Sequence, residues 1–399
     1  MDIKAELDEF QAQFFGPDRA SSLGRLGEIV NHALAAQPDR EVLMRELVAR
    51  VDHEHVGFGA YLALAGGALV ENGEPPGPLG RALAAPLERA LVNGARMHDH
   101  VAHLPDADDQ EEDEDEEEDE DEGHDHNGHD HHHDEEEADE NGVTIGSKWV
   151  TREMIDEIAD QDLAAVQAWF SLEMWYRPAV ATWTRDPAVL RELQHRKGLR
   201  EAIAALGAST ETSYWLTLLI ETLFDARLVL LLPELSEAWS VVADGVVDMG
   251  QLSVLLSEAL AEPLDRLGAS GIADEPLLAI MRGDGPQQDN GSYTCSFHLY
   301  PAQAVDESGM PRDGAYEWHA PGGTGTHSLP PDFLPGTIEV SDGARVLVLV
   351  GPKAPGMRFQ RVIPAVRTFE ALAARLTAPT KLPADQAKRW AELAKGLAA

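Results

Sequence analysis

The chain has 399 residues, 43% of them hydrophobic, which is enough for two or three domains with real cores. Its formal net charge of −40 makes a surface that repels nucleic-acid phosphates and anionic membranes and attracts basic proteins or cations. The one cysteine, Cys295, excludes an intrachain disulfide and any zinc site built from several thiolates, and suits a reducing cytoplasm.

The N-terminus, MDIKAELDEFQAQFFG, lacks the basic and apolar regions of a secretory signal. It reads instead as an amphipathic helix, because Ile3, Leu7, Phe10 and Phe14 recur at four, three and four. Ser21 and Ser22 can cap a second helix bearing Leu23, Leu26, Ile29, Val30 and Leu34. Val42, Leu43, Leu47 and Val51 form a third stripe. Tyr61 to Val70 is apolar on nearly all sides and predicts a buried helix, with Gly66 and Gly67 allowing close helix approach. GEPPGP at 73–78 is a turn, and Leu79 to Met97 is one more helix. Residues 1–104 thus predict an N-terminal helical unit.

The tract at 105–142 carries 23 of the chain's 71 carboxylates and six of its 16 histidines, with no Lys or Arg. It cannot bury a core, because it lacks large apolar side chains and its charges repel one another, so it is expected to be disordered. Without its carboxylates the net charge is still −17, so the remaining chain is itself acidic.

Residues 143–268 predict a second helical unit. Ser147 or Thr151 can open a helix through Met154, Ile158, Leu163 and Val166 that runs on into the aromatic segment AWFSLEMWYRP, where Pro178 should interrupt or kink it. Asp186-Pro187 starts another helix and Leu199 to Leu206 a further one. The apolar run from Thr212 to Leu232 predicts a long core helix ended by Pro233, and Leu235 to Val242 and Asp248 to Leu267 continue the helical pattern. From 269 to 399 the composition turns to Gly, Pro, Asp and Ser and predicts a small α+β domain. Tyr293, Cys295, Phe297 and Leu299 alternate as a half-buried strand, and Arg345 to Val350 is a buried strand with which Phe359 to Ile363 can pair. Residues 301–337 read as a long loop, and Arg367 to Leu376 and Asp385 to Leu397 as closing helices. The expected fold is mostly α: two helical units separated by an acidic, histidine-rich insertion, then a small α+β domain. No run of 18 apolar residues reads as a membrane span.

Three segments, AYLALAGGALVENGEPP, WFSLEMWYRPAVATWTRDPAVL and ARVLVLVGPKAPGMRFQRV, resemble stretches of an uncharacterised group of cytoplasmic proteins from actinobacteria and myxobacteria. The resemblance touches most of the chain outside the tract. It implies a bacterial, cytoplasmic protein and carries no activity or functional residue.

Four groups of side chains could carry chemistry. In the tract, His124, His126, His129, His131, His132 and His133 interleave with Asp125, Asp130 and Asp134. Imidazoles with carboxylates on a flexible chain suit Zn, Ni, Cu or Co in several registers, as in a buffer and not a catalytic site. His98, His100 and His103 lie just before the tract, with His100 and His103 on one helical face, and could extend its metal-binding surface; His53 and His55 could approach them. In the C-terminal region His298, Glu317, His319 and His327 offer a two-histidine, one-carboxylate set, with Asp332 nearby, and Glu317 and His319 share one side of a strand. The fourth group is aromatic (Trp169, Trp175, Tyr176, Trp183, Tyr214, Trp215, Trp239) and reads as core packing. Glu221 and Asp225 are four apart on the expected long helix, but the Glu-x-x-His pattern of a helical metal site is missing there.

The GGTG at 322–325 lacks the spacing and lysine of a phosphate loop, and neither Ser328 nor Cys295 sits in a nucleophile elbow, so no nucleotide cofactor is expected. These features favour a non-enzymatic binding or adaptor protein with an acidic, histidine-rich arm that engages basic partners or divalent metal. The alternatives are a protein that buffers or delivers a transition metal, and a metal-dependent enzyme centred on the C-terminal histidines. Neither nucleic acid nor membrane is an expected partner, and nothing in the sequence sets an oligomeric state.

Overall fold

The computed structural model describes residues 1–17, 19–104, 142–145, 148–207, 210–267, 269–271, 278–279, 281–282, 292–297, 299–301, 315–322, 325–329, 333–353, 359–364 and 372–397. It divides into two units. The first comprises Met1–Leu69, Ala82–Pro178 and Gly198–Tyr214, and the second Val70–Arg81, Ala179–Lys197 and Trp215–Ala399.

The first unit is built from helices and one hairpin. α1 (Ile3–Phe14), α2 (Arg19–Leu34) and α3 (Gln37–Arg50) bury the stripes that their spacing dictates: Ile3, Leu7, Phe10 and Phe14 are all buried, as are Leu43 and Leu47. α4 (Val56–Glu71) is followed by α5 (Leu79–Ala102), which ends at the acidic tract. Chain 105–141 lies outside the described residues. Beyond it a hairpin, β1 (Gly142–Ile145) and β2 (Lys148–Thr151), leads into α6 (Arg152–Thr184). α7 (Pro187–Gln194), which Asp186 caps by accepting the Val189 N–H, belongs to the second unit, while most of α8 (Lys197–Ala205) and the first turn of α9 (Glu211–Ile220) belong to the first. α4 packs closely on α6: a Cβ on Gly67 would lie 2.7 Å from the Pro178 Cβ, and one on Gly59 would lie 3.0 Å from the Trp175 ring.

α6 departs from the expectation at Pro178. The helix continues through the proline, and its one break is at Asp162, where φ is −145° and ψ 70°. The Asp162 carboxylate accepts the Ala165 N–H at 3.1 Å. It thereby caps the second half of the helix as an N-cap residue does.

The second unit centres on a mixed sheet in the order β13-β4-β3-β11-β8-β9. Its strands are β3 (Ala226–Leu232), β4 (Glu237–Asp244), β8 (Ala315–Gly322), β9 (Gly325–Ser328), β11 (Ala344–Lys353) and β13 (Arg375–Leu376). The short strands β10 (Val340–Ser341) and β14 (Thr380–Lys381) pair with β11 and β4. β3 runs parallel to β11; the other pairings are antiparallel. Leu228, Leu230, Leu347, Leu349, Tyr316 and Trp318 face α10 (Met249–Ala259) and α11 (Ala261–Arg266). Val229, Leu231, Val346 and Val348 face the last helix, α12 (Ala384–Leu397), through Ala387, Trp390 and Ala394. Outside this sheet, β5 (Ala269–Gly271) pairs with β7 (Leu299–Pro301), and β6 (Ser292–Phe297) with β12 (Phe359–Pro364).

The chain is mostly helical, with strands toward its C-terminal part, but the sheet starts earlier than the sequence suggests. The run Thr212–Leu232 is not one helix. α9 ends at Ile220, Asp225 takes a left-handed φ of 48°, and Ala226–Leu232 is a central strand. Leu235–Val242 is likewise not helical but falls largely within β4. A strand covered on both faces is apolar throughout, so its periodicity cannot be told from that of a buried helix. Phe359–Pro364 pairs with Ser292–Phe297 and not with the strand at 345–350, whose neighbours are β3, β8 and the short β10. In the expected helix at 367–376, Arg375–Leu376 is a strand on β4.

Candidate functional site

The acidic tract leaves and re-enters the first unit at a built root. The last turns of α5 place Met97 and Val101 in one cluster with Ile145 and Val150 of the hairpin and Ile158, Ala165 and Val166 of α6, with Leu104 and Val143 packed against it. Lys148 of β2 donates from Nζ to the carbonyl oxygens of Ala102 and Leu104. The same lysine pairs with Ile145 across the hairpin, three residues after Gly142. A cation at the C-terminal carbonyls of α5 also answers that helix's dipole. The residue before the tract and the strand after it are thus fastened to each other.

A second tie fixes α5 to α6. Arg96 binds Asp162 through Nε at 2.8 Å and Nη2 at 3.0 Å, and His100 Nε2 lies 3.5 Å from the same carboxylate. Burial works against ionisation of Asp162, but the Ala165 N–H, Arg96 and His100 hold its pKa below the usual carboxylate range. Neither Lys148 nor Asp162 stands out in the sequence. The hairpin did leave a signal, since Val143-Thr144-Ile145 and Trp149-Val150 flank Gly146-Ser147 as two strands flank a tight turn.

The histidines of α5 take separate places at this root. His98 packs edge-on against Trp169, with ring centroids 4.9 Å apart. His100 faces Asp162, and His103 is exposed in the turn that closes the helix, its N–H on the His100 carbonyl. His124, His126, His129, His131, His132 and His133 lie outside the described residues. Among the described residues no group of three or more His, Cys, Asp or Glu is placed to hold a metal ion.

His53 and His55 are built into the start of α4. The His53 Nδ1 accepts the His55 N–H at 3.0 Å, and the His55 Nδ1 accepts the Phe58 N–H at 3.1 Å. Phe15 stacks on His53, and Phe14 meets His55 edge-on. These two rings therefore act as a helix cap and as packing.

In the second unit, Glu317 and His319 share a face of β8, as their spacing requires, with Oε2 and Nε2 3.4 Å apart. His319 pairs with Val348, whose face α12 covers, and is buried. His327 pairs with Ala320, on the opposite face. Cross-strand partners point to the same side of a sheet and successive residues to opposite sides, so His319 and His327 diverge. His298 and Asp332 lie outside the described residues. Glu221 and Asp225 also fail to form an i, i+4 pair, because α9 ends before both. Of the aromatic group, Trp175, Tyr176 and Trp183 are buried, as core packing requires, Trp169, Trp215 and Trp239 are partly buried, and Tyr214 is 48% exposed and so departs from that reading.

Among the described residues of this unit, two ionisable groups with shifted pKa values tie elements together. Glu237 of β4 receives Arg266 of α11 at 2.9 and 2.7 Å and Lys381 of β14. Arg266 foremost, then Lys381, pulls its pKa down to about 2 against the opposing effect of burial. Tyr316 donates to Glu234 at 2.7 Å, and burial with that carboxylate pushes its phenol up to about 12. Each ties secondary elements together.

Compared with protein-family models, curated proteins and solved structures, the chain matches none. Among the described residues no helix is long and apolar enough to cross a membrane.

Proposed function

We propose that this is a non-enzymatic, cytoplasmic binding or adaptor protein whose acidic, histidine-rich arm, residues 105–142, engages basic protein partners. The observation that supports this reading is the root. Lys148 and the cluster around Val101, Ile145 and Val150 fasten the two ends of the arm together, so the scaffold presents 23 carboxylates from a single point. Such a concentration of charge raises association rates with cationic surfaces and loses its effect in salt. Lone Cys295 favours the cytoplasm, and the acidic surface argues against nucleic acid. A low-salt pull-down compares the intact chain with one whose arm is replaced by a short linker. Capture of basic proteins by the intact chain alone supports the proposal; equal capture by both sinks it.

A second reading is favoured by composition. Six arm histidines follow His98 and His100 of α5 and His103 of the turn after it, a donor set for Zn, Ni, Cu or Co in buffering or delivery. Metal stoichiometry before and after removal of the arm tests it, and an unchanged value disposes of the arm's part. The reading as a metal-dependent enzyme gains no such support, since His319 and His327 point to opposite faces of their sheet.

A further inference from the structure

The connection between α3 and α4 holds two histidines that cap α4 in series. His55 occupies the N-cap position: its carbonyl accepts the Gly59 N–H at 3.1 Å, and its Nδ1 accepts the Phe58 N–H at 3.1 Å. One step further back, the His53 Nδ1 accepts the His55 N–H at 3.0 Å. A neutral imidazole that accepts at Nδ1 carries its proton on Nε2, and an imidazolium has no acceptor at all. Both bonds therefore exist only on neutral rings. The usual caps, Ser, Thr, Asn and Asp, keep their acceptors through the pH range in which histidine titrates.

The surroundings are mainly aromatic. The end of α1 contributes Phe15, stacked on His53 at 5.5 Å and edge-on to His55 at 5.3 Å, and Phe14, edge-on to His55 at 5.5 Å. α4 contributes Phe58, 4.8 Å from His53, and Tyr61, which meets Phe14. Within the connection Asp52 is held by Arg89 of α5, and Glu54 is exposed. At the end of α3, Arg50 is held by Asp8 and Glu46. Both imidazoles are half-buried, so protons reach them from solvent without unfolding. A proton on Nδ1 of either ring meets an amide N–H where an acceptor stood. At His55 it also sets positive charge at the positive end of α4. The stacking of His53 on Phe15 offsets part of this for His53 by a cation–π contact, so His55 carries the larger effect.

We propose that His53 and His55 form an acid-released latch that fastens the first turn of α4 to the end of α1. Imidazole ordinarily takes up its second proton near pH ~6.5. Above that value both rings accept and the turn is closed. Below it the His55 and Phe58 amides lose their acceptors, and the first turn of α4 frays away from Phe14 and Phe15. The sign follows from proton counting. The closed turn needs neutral rings, so the open turn binds more protons, and the latch's contribution is present above the ordinary histidine value and lost as pH falls through it. The release reaches α6, because a Cβ on Gly59 in this turn would lie 2.7 Å from the Val51 carbonyl oxygen and 3.0 Å from the Trp175 ring.

The test follows amide hydrogen exchange in the full chain at about pH 7.5 and about pH 5.5, on either side of the histidine range. Rates are corrected for the intrinsic pH dependence of exchange and referred to amides in the middle of α5. In the parent, protection of the Phe58 amide falls roughly five- to tenfold at the lower pH. His53→Asn with His55→Asn keeps at each position an acceptor that does not titrate there, and its Phe58 protection stays within about twofold between the two conditions. A parent whose Phe58 protection is the same at both pH values overturns the inference. So does an asparagine variant that loses protection as the parent does. If circular dichroism shows the variant to be misfolded, the nitrogen NMR spectrum of the parent's imidazoles decides. A bare Nδ1 on both rings at the higher pH, protonated in step with the loss of Phe58 protection, supports the latch. A protonated Nδ1 at the higher pH, or protonation that leaves Phe58 protected, overturns it.

Discussion

If the arm is an insertion fastened at its root, removing it should leave the first unit folded and somewhat more stable. The perturbation is replacement of residues 105–141 by a six-residue Gly/Ser linker. The gap is short: Lys148 reaches the Leu104 carbonyl, and Gly142 lies three residues from the Ile145 with which Lys148 pairs. Three strand residues and one lysine side chain span roughly 16 Å, within reach of six linker residues. Shortening a 37-residue loop to about six is roughly two and a half halvings. At about 0.6 kcal/mol for each, closure becomes easier by about 1.5 kcal/mol. Loss of 23 mutually repelling carboxylates acts in the same direction. For a unit of this size the gain corresponds to a rise of about 3–6 °C in Tm, measured by scanning calorimetry at low and high salt. The salt-dependent part reports the repulsion and the remainder the loop. A Tm that falls, or loss of the cooperative transition, would refute the reasoning by showing that the arm contributes to the packing of α5, the hairpin or α6.

Three further outcomes follow from individual contacts. Asp162→Ala removes a cap and the ion pair with Arg96, and should cost about 1–2 kcal/mol in urea denaturation; Asp162→Asn, which keeps the cap acceptor, should recover part of that. His55→Ala should cost about 1 kcal/mol by uncapping α4, and His55→Asn should restore it; identical melting of all three proteins would contradict the cap assignment. Glu237 has a pKa lowered from 4.5 to about 2, so its contribution is present above its unfolded pKa and is lost as pH falls toward 2. Glu237→Gln should cost about 1–2 kcal/mol at pH 7, moderated because Arg266 and Lys381 are solvent-exposed, and should flatten the acid limb of the stability curve. An unchanged limb would mean that the site is not ionically coupled.

Much of the first unit could be read from spacing. Ile3, Leu7, Phe10 and Phe14 fall where a helix needs them, and Gly67 permits the close approach that the GG pair suggested. In the second unit, Asp186-Pro187 marks a helix start by composition alone. The failures have a common cause, which is that long-range context decides them. Leu228–Leu232 reads as helix or strand until β4 and β11 flank it. Pro178 looks like a break, but the break falls at Asp162, where a capping carboxylate finds partners on another helix. In the C-terminal sheet, the shared side of Glu317 and His319 follows from strand period. The divergence of His327 follows from the β8–β9 register, which no local pattern specifies.

The central claim is that the arm, presented from its root, is the binding element for cationic partners. Isothermal titration of the intact chain with a lysine-rich peptide over a series of salt concentrations tests it most directly, with the arm-replaced chain alongside. The account predicts tight binding at low salt that weakens steeply as salt rises, and an affinity at least about tenfold lower without the arm. Equal affinity of the two chains across the salt series would contradict it.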